Sequence, residues 1–305
     1  MRNQKRIVIA GGSGFIGRSL AQELLRRGYE IVVLTRSPRA RFDGIREFEW
    51  DGEHLGEWLK LLEGAEAIVN LTGKNINCPH TPENVRELTA SRVNSIRTIA
   101  DAFQHIKTYP RVWVQAGAIG FYGDQKEKIC DEDSPPGNDT LVEICKQWEV
   151  AFNSADAPKT RKILLRIGLV LGREGGALPV LEKLTKWFLG GTVGSGKQFI
   201  SWVDRADLIK MFVEAIECDD WAGTFNAVAP NPVTNKEFMC ELRRALHRPW
   251  SPPAPVWAVK FGSRLMKSEP SLALVGCCVA PRRLLENHFQ FHFPELRGAL
   301  KKLYE

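Results

Sequence analysis

A short β-branched run, Lys5-Arg6-Ile7-Val8-Ile9-Ala10, stands directly before Gly11-Gly12-Ser13-Gly14-Phe15-Ile16-Gly17. The run has no polar–apolar alternation, so it predicts a strand buried on both faces. From Phe15 to Arg27 the apolar positions Phe15, Ile16, Leu20, Leu24 and Leu25 recur at helical spacing, and Gly28 closes the helix. The glycines at 11, 14 and 17 are spaced G-x-x-G-x-x-G between that strand and that helix. Gly11 permits a tight turn, Gly14 lets backbone approach a phosphate with no Cβ between, and Gly17 lets the helix lie close on the strand. The helix start carries unpaired N–H groups and the positive end of the dipole, which together attract an anion. A strand before the glycines and a helix after them are what a pyrophosphate-gripping turn requires. Gly11, Gly12, Ser13, Gly14, Phe15, Ile16 and Gly17 are therefore the first candidate cofactor-binding residues.

The same rhythm continues. Strands are predicted at 31–34, 46–50, 67–71, 112–114 and 162–166, with helices at 82–106 and 141–154. Strands alternating with helices predict an α/β fold, a doubly wound parallel sheet of Rossmann-like topology. After Gly172 the pattern changes to glycine-rich loops (Gly190-Gly191, Gly194, Gly196) and then to frequent prolines. The expected division is a dinucleotide-binding domain over 1–172 and a smaller C-terminal lobe over 173–305, with part of 198–228 returning to the sheet. At 305 residues, the chain is long enough to bury a large core without staples.

Charge narrows the class of partner. The chain has 42 Lys+Arg against 36 Asp+Glu, a formal net charge of +6, spread along its length. There is no long basic run and no contiguous basic–aromatic array, so no nucleic-acid partner is expected. No window of about 18 apolar residues exists, so neither a membrane span nor a membrane partner is expected. The start of the chain lacks the apolar core and cleavage site of a secretory leader. Seven cysteines make no C-x-x-C pair, and the six histidines form no ligand set, so no metal is expected. Free thiols fit a reducing compartment, and a cytoplasmic location is expected.

The type of dinucleotide is read from the end of the second strand. An NAD site places Asp or Glu there, to accept from the ribose 2′-hydroxyl. This chain has Leu34-Thr35-Arg36-Ser37-Pro38, with Arg36 lying 19 residues after Gly17. A guanidinium pairs with a 2′-phosphate, so Thr35, Arg36 and Ser37 favour NADP(H) over NAD(H). Arg39 and Arg41 are expected to face solvent. Ligands of such sheets sit at the carboxyl ends of the strands, which adds Leu71, Thr72 and Gly73, then Ala116 and Gly117, and then Gly168 and Val170. Arg92 is a candidate for a phosphate or a substrate anion.

With these residues in place, the chain resembles an atypical extended short-chain dehydrogenase/reductase. It is similar to the group labelled epimerase family protein, or sugar-nucleotide epimerase-like cell-division-inhibitor homologue. The matching segments include Asn70-Leu71-Thr72-Gly73, Ser91-Arg92-Val93-Asn94, Gly120-Phe121-Tyr122-Gly123, Trp148-Glu149 and Leu165-Arg166-Ile167-Gly168-Leu169-Val170-Leu171-Gly172. They continue through Gly194-Ser195-Gly196-Lys197-Gln198, Ser201-Trp202-Val203-Asp204, Ala229-Pro230-Asn231-Pro232 and Pro281-Arg282-Arg283-Leu284. The likeness runs from about residue 5 to 303. It implies an NADP-binding Rossmann-like domain and a small appended lobe. It does not fix a substrate: the partner is expected to be a small molecule of unknown identity, with a sugar nucleotide and a carbonyl compound as the candidates.

The resemblance also implies a Ser, a Tyr and a Lys that together handle a proton. Aligned on Gly123 and Trp148-Glu149, those positions fall near Gly117, Leu141 and Cys145, and no Y-x-x-x-K occurs between residues 115 and 160. A Leu cannot transfer a proton. Either another group has taken over, with Tyr122 and Lys146 as the catalytic candidates beside Cys145, or the chain binds NADP(H) without catalysis, as a regulatory or sensor protein. Gln198, Ser201 and Trp202 resemble a segment that faces substrate in relatives. At Gly276-Cys277-Cys278 the resemblance implies a Gln-Arg pair after the glycine, which this chain lacks.

Overall fold

The computed structural model describes residues 4–305. In chain order its strands and α-helices are β1 (Arg6–Ala10), α1 (Phe15–Arg26), β2 (Glu30–Thr35), β3 (Arg46–Glu49), β4 (Ala67–Asn70), α2 (Pro82–Phe103), β5 (Val112–Ala118), β6 (Ile129–Cys130), α3 (Thr140–Ser154) and β7 (Arg161–Ile167). The second half has β8 (Leu169–Leu171), α4 (Leu178–Lys186), β9 (Phe199–Ile200), β10 (Trp202–Asp204), α5 (Arg205–Glu217), β11 (Gly223–Ala227), β12 (Val233–Thr234) and α6 (Asn235–Ala245). It closes with α7 (Val256–Leu265), α8 (Ser271–Leu274), β13 (Cys278–Val279), α9 (Arg282–Glu286) and α10 (Leu296–Tyr304).

Seven strands form one sheet in the order β11-β7-β5-β4-β1-β2-β3. Every pairing in it is parallel. This is the doubly wound arrangement, with the crossover reversing beside β1 and β4. Alternate side chains of β1 feed opposite cores. Ile7 and Ile9 face the layer of α1 and α5, while Val8 and Ala10 face α2 and α3. In the second layer Trp113 meets Phe103 and Phe152 edge-on, with ring centroids 5.5 and 5.1 Å away.

Two strands differ from expectation. β5 continues past Val114 to Ala118, because Gln115 is fully buried and bonded to Asn70, so a polar residue does not end the strand. β11 supplies the seventh strand from within 198–228. It carries no apolar run, and Asn226 sits in its middle, satisfied by Tyr122 and by the carbonyl of Ala280. Helix α2 stops at Phe103, before the predicted 106.

The C-terminal region has its own core of Leu171, Leu178, Trp202, Phe238, Leu242 and Leu300. It is stitched to the first half where β13 pairs with β6. Among the described residues no helix is long and apolar enough to cross a membrane.

Candidate functional site

Because the strands are parallel, the carboxyl ends of β1, β2, β4, β5 and β7 lie along one edge of the sheet, the place of the ligand crevice in doubly wound folds. At β1 the chain turns on Gly11 at φ +73°, where a Cβ would come within 3.0 Å of the Leu71 carbonyl carbon. Gly17 fits only as glycine, since a Cβ would stand 2.5 Å from Gly12 Cα. Gly14 is the N-cap of α1. Among the described residues no side chain caps this helix, and its first turn has no acid. Its leading N–H groups therefore point outward, with the dipole unopposed. Ser13 Oγ lies 3.1 Å from Thr35 Oγ1, which joins this turn to the end of β2. The Phe15 ring is pinned on the other side, packed so closely against Gly172 and Gly175 that a Cβ on either would come within 2.4–2.7 Å of it. That contact joins the turn to the far half of the chain, and only the three-dimensional fold reveals it.

Arg36 follows β2 and is exposed. It makes no ion pair among the described residues. Arg41 pairs with Glu47 at 3.1 Å and with Asp43, whereas Arg39 meets Glu47 only through its backbone N–H and its guanidinium, like that of Arg36, is exposed and makes no ion pair among the described residues. Arg36 is the free guanidinium next to the end of β2, at the place where an NAD site would hold a carboxylate, with Ser37 exposed beside it.

The floor of the crevice rests on Asn70, which is fully buried at the end of β4. Asn70 donates to Gln115 Oε1 at 3.0 Å and to Ser95 Oγ at 3.2 Å. Its Oδ1 accepts both the backbone N–H and the hydroxyl of Thr72, at 3.1 and 2.5 Å. The Thr72 side chain thereby shapes the Leu71–Gly73 turn. Arg92 reaches the turn from α2 and donates to the Lys74 carbonyl at 3.1 Å and to the Leu88 carbonyl at 2.8 Å. Its guanidinium lies 5.0 Å from the centre of the Trp148 ring. Burial pulls its pKa down, and among the described residues no carboxylate pairs with it.

The other end of the crevice is apolar or saturated. Gly117 lies in β5, where a Cβ would meet Leu164 at 3.0 Å, and Ala116 is buried. Leu141 is half-buried on α3. Cys145, one turn on, is a buried thiol whose pKa is pushed up to about 12 by burial and by nearby Glu149. Tyr122 is fully buried. Its hydroxyl donates to Asn226 at 2.7 Å and accepts from Arg166 at 2.8 Å, and burial raises its pKa to about 12. Arg166 in turn makes two 2.8 Å bonds to the Glu149 carboxylate, with both partners buried. Lys146 lies on α3, paired with Glu143 at 3.1 Å and lining a groove between α2 and α3 with Arg97 and Gln104.

Gly168 is wedged in the turn from β7 to β8, where a Cβ would come within 2.5 Å of the Ser201 carbonyl oxygen, and Val170 is half-buried nearby. Gln198 donates to the carbonyls of Val193 and Ala273, both at 3.1 Å. Ser201 bonds the Cys277 carbonyl at 2.8 Å, and Trp202 donates to Asn231 at 3.0 Å. These three side chains brace the lobe from within. Cys277 and Cys278 are buried beside β6, and burial raises both thiols. Among the described residues no cluster of His, Cys, Asp and Glu could hold a metal.

A parallel doubly wound sheet with a glycine turn, an uncapped helix start and an unpaired guanidinium after β2 defines a dinucleotide-binding type of α/β protein. The chain belongs to the NAD dependent epimerase/dehydratase family, whose model matches residues 7–227. A second model, a domain of unknown function (DUF1731), matches 254–303. The human epimerase family protein SDR39U1 is 34% identical over 304 residues, spanning 98% of this chain and 99% of its own. The Bacillus subtilis epimerase family protein YfhF is 32% identical, spanning 97% of each. The crystal structure of human SDR39U1 (isoform 2) with NADPH matches with a TM-score of 0.87 at 33% identity, covering 98% of this chain and 99% of that one.

Proposed function

We propose that the crevice binds NADP(H) and that the chain is an atypical oxidoreductase or epimerase-like enzyme whose proton handling differs from the Tyr–Lys scheme. The observation that carries the cofactor assignment is the pairing of an uncapped α1 start with the unpaired Arg36. The residues present fit the group. Gly11 to Gly17 would hold the diphosphate on bare backbone, and Thr35, Arg36 and Ser37 would hold the 2′-phosphate. Leu71, Thr72 and Gly73, with Arg92 behind them, would line the middle of the crevice. Ala116, Gly117, Gly168 and Val170 would flank the nicotinamide end. The human relative crystallised with NADPH supports this reading.

When bound, the nicotinamide supplies or takes up a hydride. The chain's own residues then have restricted roles. Cys145 remains a neutral thiol near neutral pH, because burial holds its pKa near 12. Tyr122 is equally reluctant to ionise, and its hydroxyl is already committed to Asn226 and Arg166. Lys146 is held by Glu143. Arg92 positions the Gly73–Lys74 backbone and brings positive charge to the crevice without a counter-ion. A small carbonyl compound or a sugar nucleotide is the proposed substrate class, and the seven free cysteines suit a reducing compartment such as the cytoplasm.

A second reading is favoured by one observation, the apolar Leu141 and Cys145 where a Tyr and a Lys would stand. In that reading the chain binds NADP(H) and transfers nothing, acting as a sensor. Screening carbonyl compounds and sugar nucleotides for NADPH consumption separates the two, since turnover with any of them removes the sensor reading. For the cofactor itself, Arg36→Ala is expected to weaken NADPH about 10- to 100-fold, the loss of one charge-assisted contact to a phosphate. NADH affinity should stay within about twofold, and equal losses for both would refute the 2′-phosphate assignment.

A further inference from the structure

Helix α7 is the least embedded element of the lobe. None of its ten residues is buried. Trp257, Phe261 and Leu265 stand four residues apart and so share one face, and they are 72%, 69% and 78% exposed. Gly262, beside the stripe, has open space around it, since an added Cβ would meet nothing within 4 Å. Further exposed indoles lie in the chain ahead of the helix. Ala254 exchanges backbone bonds with Thr192 and Gly194, at 2.8 and 2.9 Å, which lays the α4-to-β9 connection alongside. That connection opens with Trp187, 72% exposed, and Trp250 adds a third indole at 65%.

Charge runs with the apolar surface. From residue 242 to 268 the chain has six Lys or Arg and no Asp or Glu, and from 183 to 203 it has three Lys and again no acid. On the helix, Lys260 and Arg264 border the apolar stripe and Lys267 follows its end. All three are exposed, and none makes an ion pair among the described residues. Exposed indoles and aliphatic side chains ringed by unpaired cations match the headgroup–acyl boundary of an anionic bilayer. A second copy fits worse, because apposing the two faces would bring like charges together. We propose that α7 and the adjoining 187–194 segment form a peripheral docking surface for an anionic lipid bilayer, lying in its interface without crossing it. Just past α7, Ser268 bonds Asn77 and Glu269 accepts from the His80 backbone in the loop after the Leu71–Gly73 turn, so cofactor affinity is kept as a separate readout.

The test uses the full chain with vesicles of phosphatidylcholine alone, or with about one third phosphatidylglycerol, read by co-sedimentation and by the blue shift of tryptophan emission. Binding to the anionic vesicles should exceed that to the neutral ones by at least about tenfold, and should weaken as salt rises. Trp257→Glu with Phe261→Glu, both at exposed positions, should lower it at least about tenfold with NADPH affinity unchanged. Lys260→Gln with Arg264→Gln should lower it by about fivefold for each cation removed. Three outcomes would overturn the proposal. One is equal or absent binding to the two vesicle types. Another is retention on an acidic polymer or self-association that the variants abolish, without vesicle binding. The third is loss of NADPH affinity in the variants with vesicle binding intact, which would make α7 part of the crevice.

Discussion

The two ends of the crevice are built on opposite principles. At the β1–β2 end the donors are left free: the α1 start is uncapped and Arg36 has no acid beside it. At the β5–α3 end the charged and hydroxyl groups are committed to one another, with Arg166 locked by Glu149 and the Tyr122 hydroxyl shared between Arg166 and Asn226, while the buried indole N–H groups of Trp113 and Trp148 have no partner among the described residues. Exposed donors with no protein partner are hydrated until a ligand displaces the water, whereas satisfied buried groups are architecture. The contrast teaches that gripping a dinucleotide and moving a proton are separable tasks in this fold: this chain leaves donors free for the first, while Tyr122 and Arg166 at the other end are committed to partners inside the protein.

Substitutions can break that contrast or sharpen it. The largest effect belongs to the saturated end. Glu149→Ala leaves Arg166 charged and buried without its partner and should cost about 3–5 kcal/mol of stability, measured by urea denaturation. A loss below about 1 kcal/mol would show that the ion pair does not hold this end together. Next comes the open end. Gly14→Asp adds a good cap to α1 at an extended backbone position where a Cβ meets only the Gly11 carbonyl oxygen, at 3.3 Å. The variant should melt no lower than the parent yet lose at least about 100-fold in NADPH affinity, because its carboxylate occupies the anion site. Unchanged affinity would move the diphosphate elsewhere.

The smallest effect lies on the rim, outside both ends. Asp51 is held down to about 2, first by the Glu53 backbone N–H and then by the His54 side chain. A depressed carboxyl contributes stability above its ordinary value of 3.8 and loses it as pH falls toward about 2. Asp51 is half-exposed, so screening keeps the contribution under about 0.5 kcal/mol. Asp51→Asn should therefore differ slightly from the parent at pH 6 and not at all near pH 2, by thermal melting. A gap that widened in acid would reverse the assignment.

Much of this was legible in the residues. The glycine turn works from local sterics, so Gly11, Gly14 and Gly17 could be placed without a fold. The sheet followed from uninterrupted apolar runs at β1, β2 and β4. β11 was legible only as a region, because Asn226 in its centre is satisfied by side-chain partners far along the chain. Tyr122 was drawn from its place beside β5, and Lys146 from adjacency to the missing Lys position. Adjacency does not say where a side chain points, and the structure places one hydroxyl in a buried network and the other ammonium in a groove between helices. The bracing roles of Asn70, Gln198 and Ser201 had no local signal. The basic and aromatic face of α7 escaped a search for contiguous runs, since its residues come together only through helical spacing and the pairing of Ala254 with the 192–194 strand segment.

The most direct test is calorimetric titration of the purified chain with NADPH and with NADH under one set of conditions. Bare backbone at Gly11–Gly17 and the free Arg36 predict one site per chain and at least about tenfold tighter binding of NADPH. No heat with either nucleotide, or equal affinity for both, would contradict the central assignment.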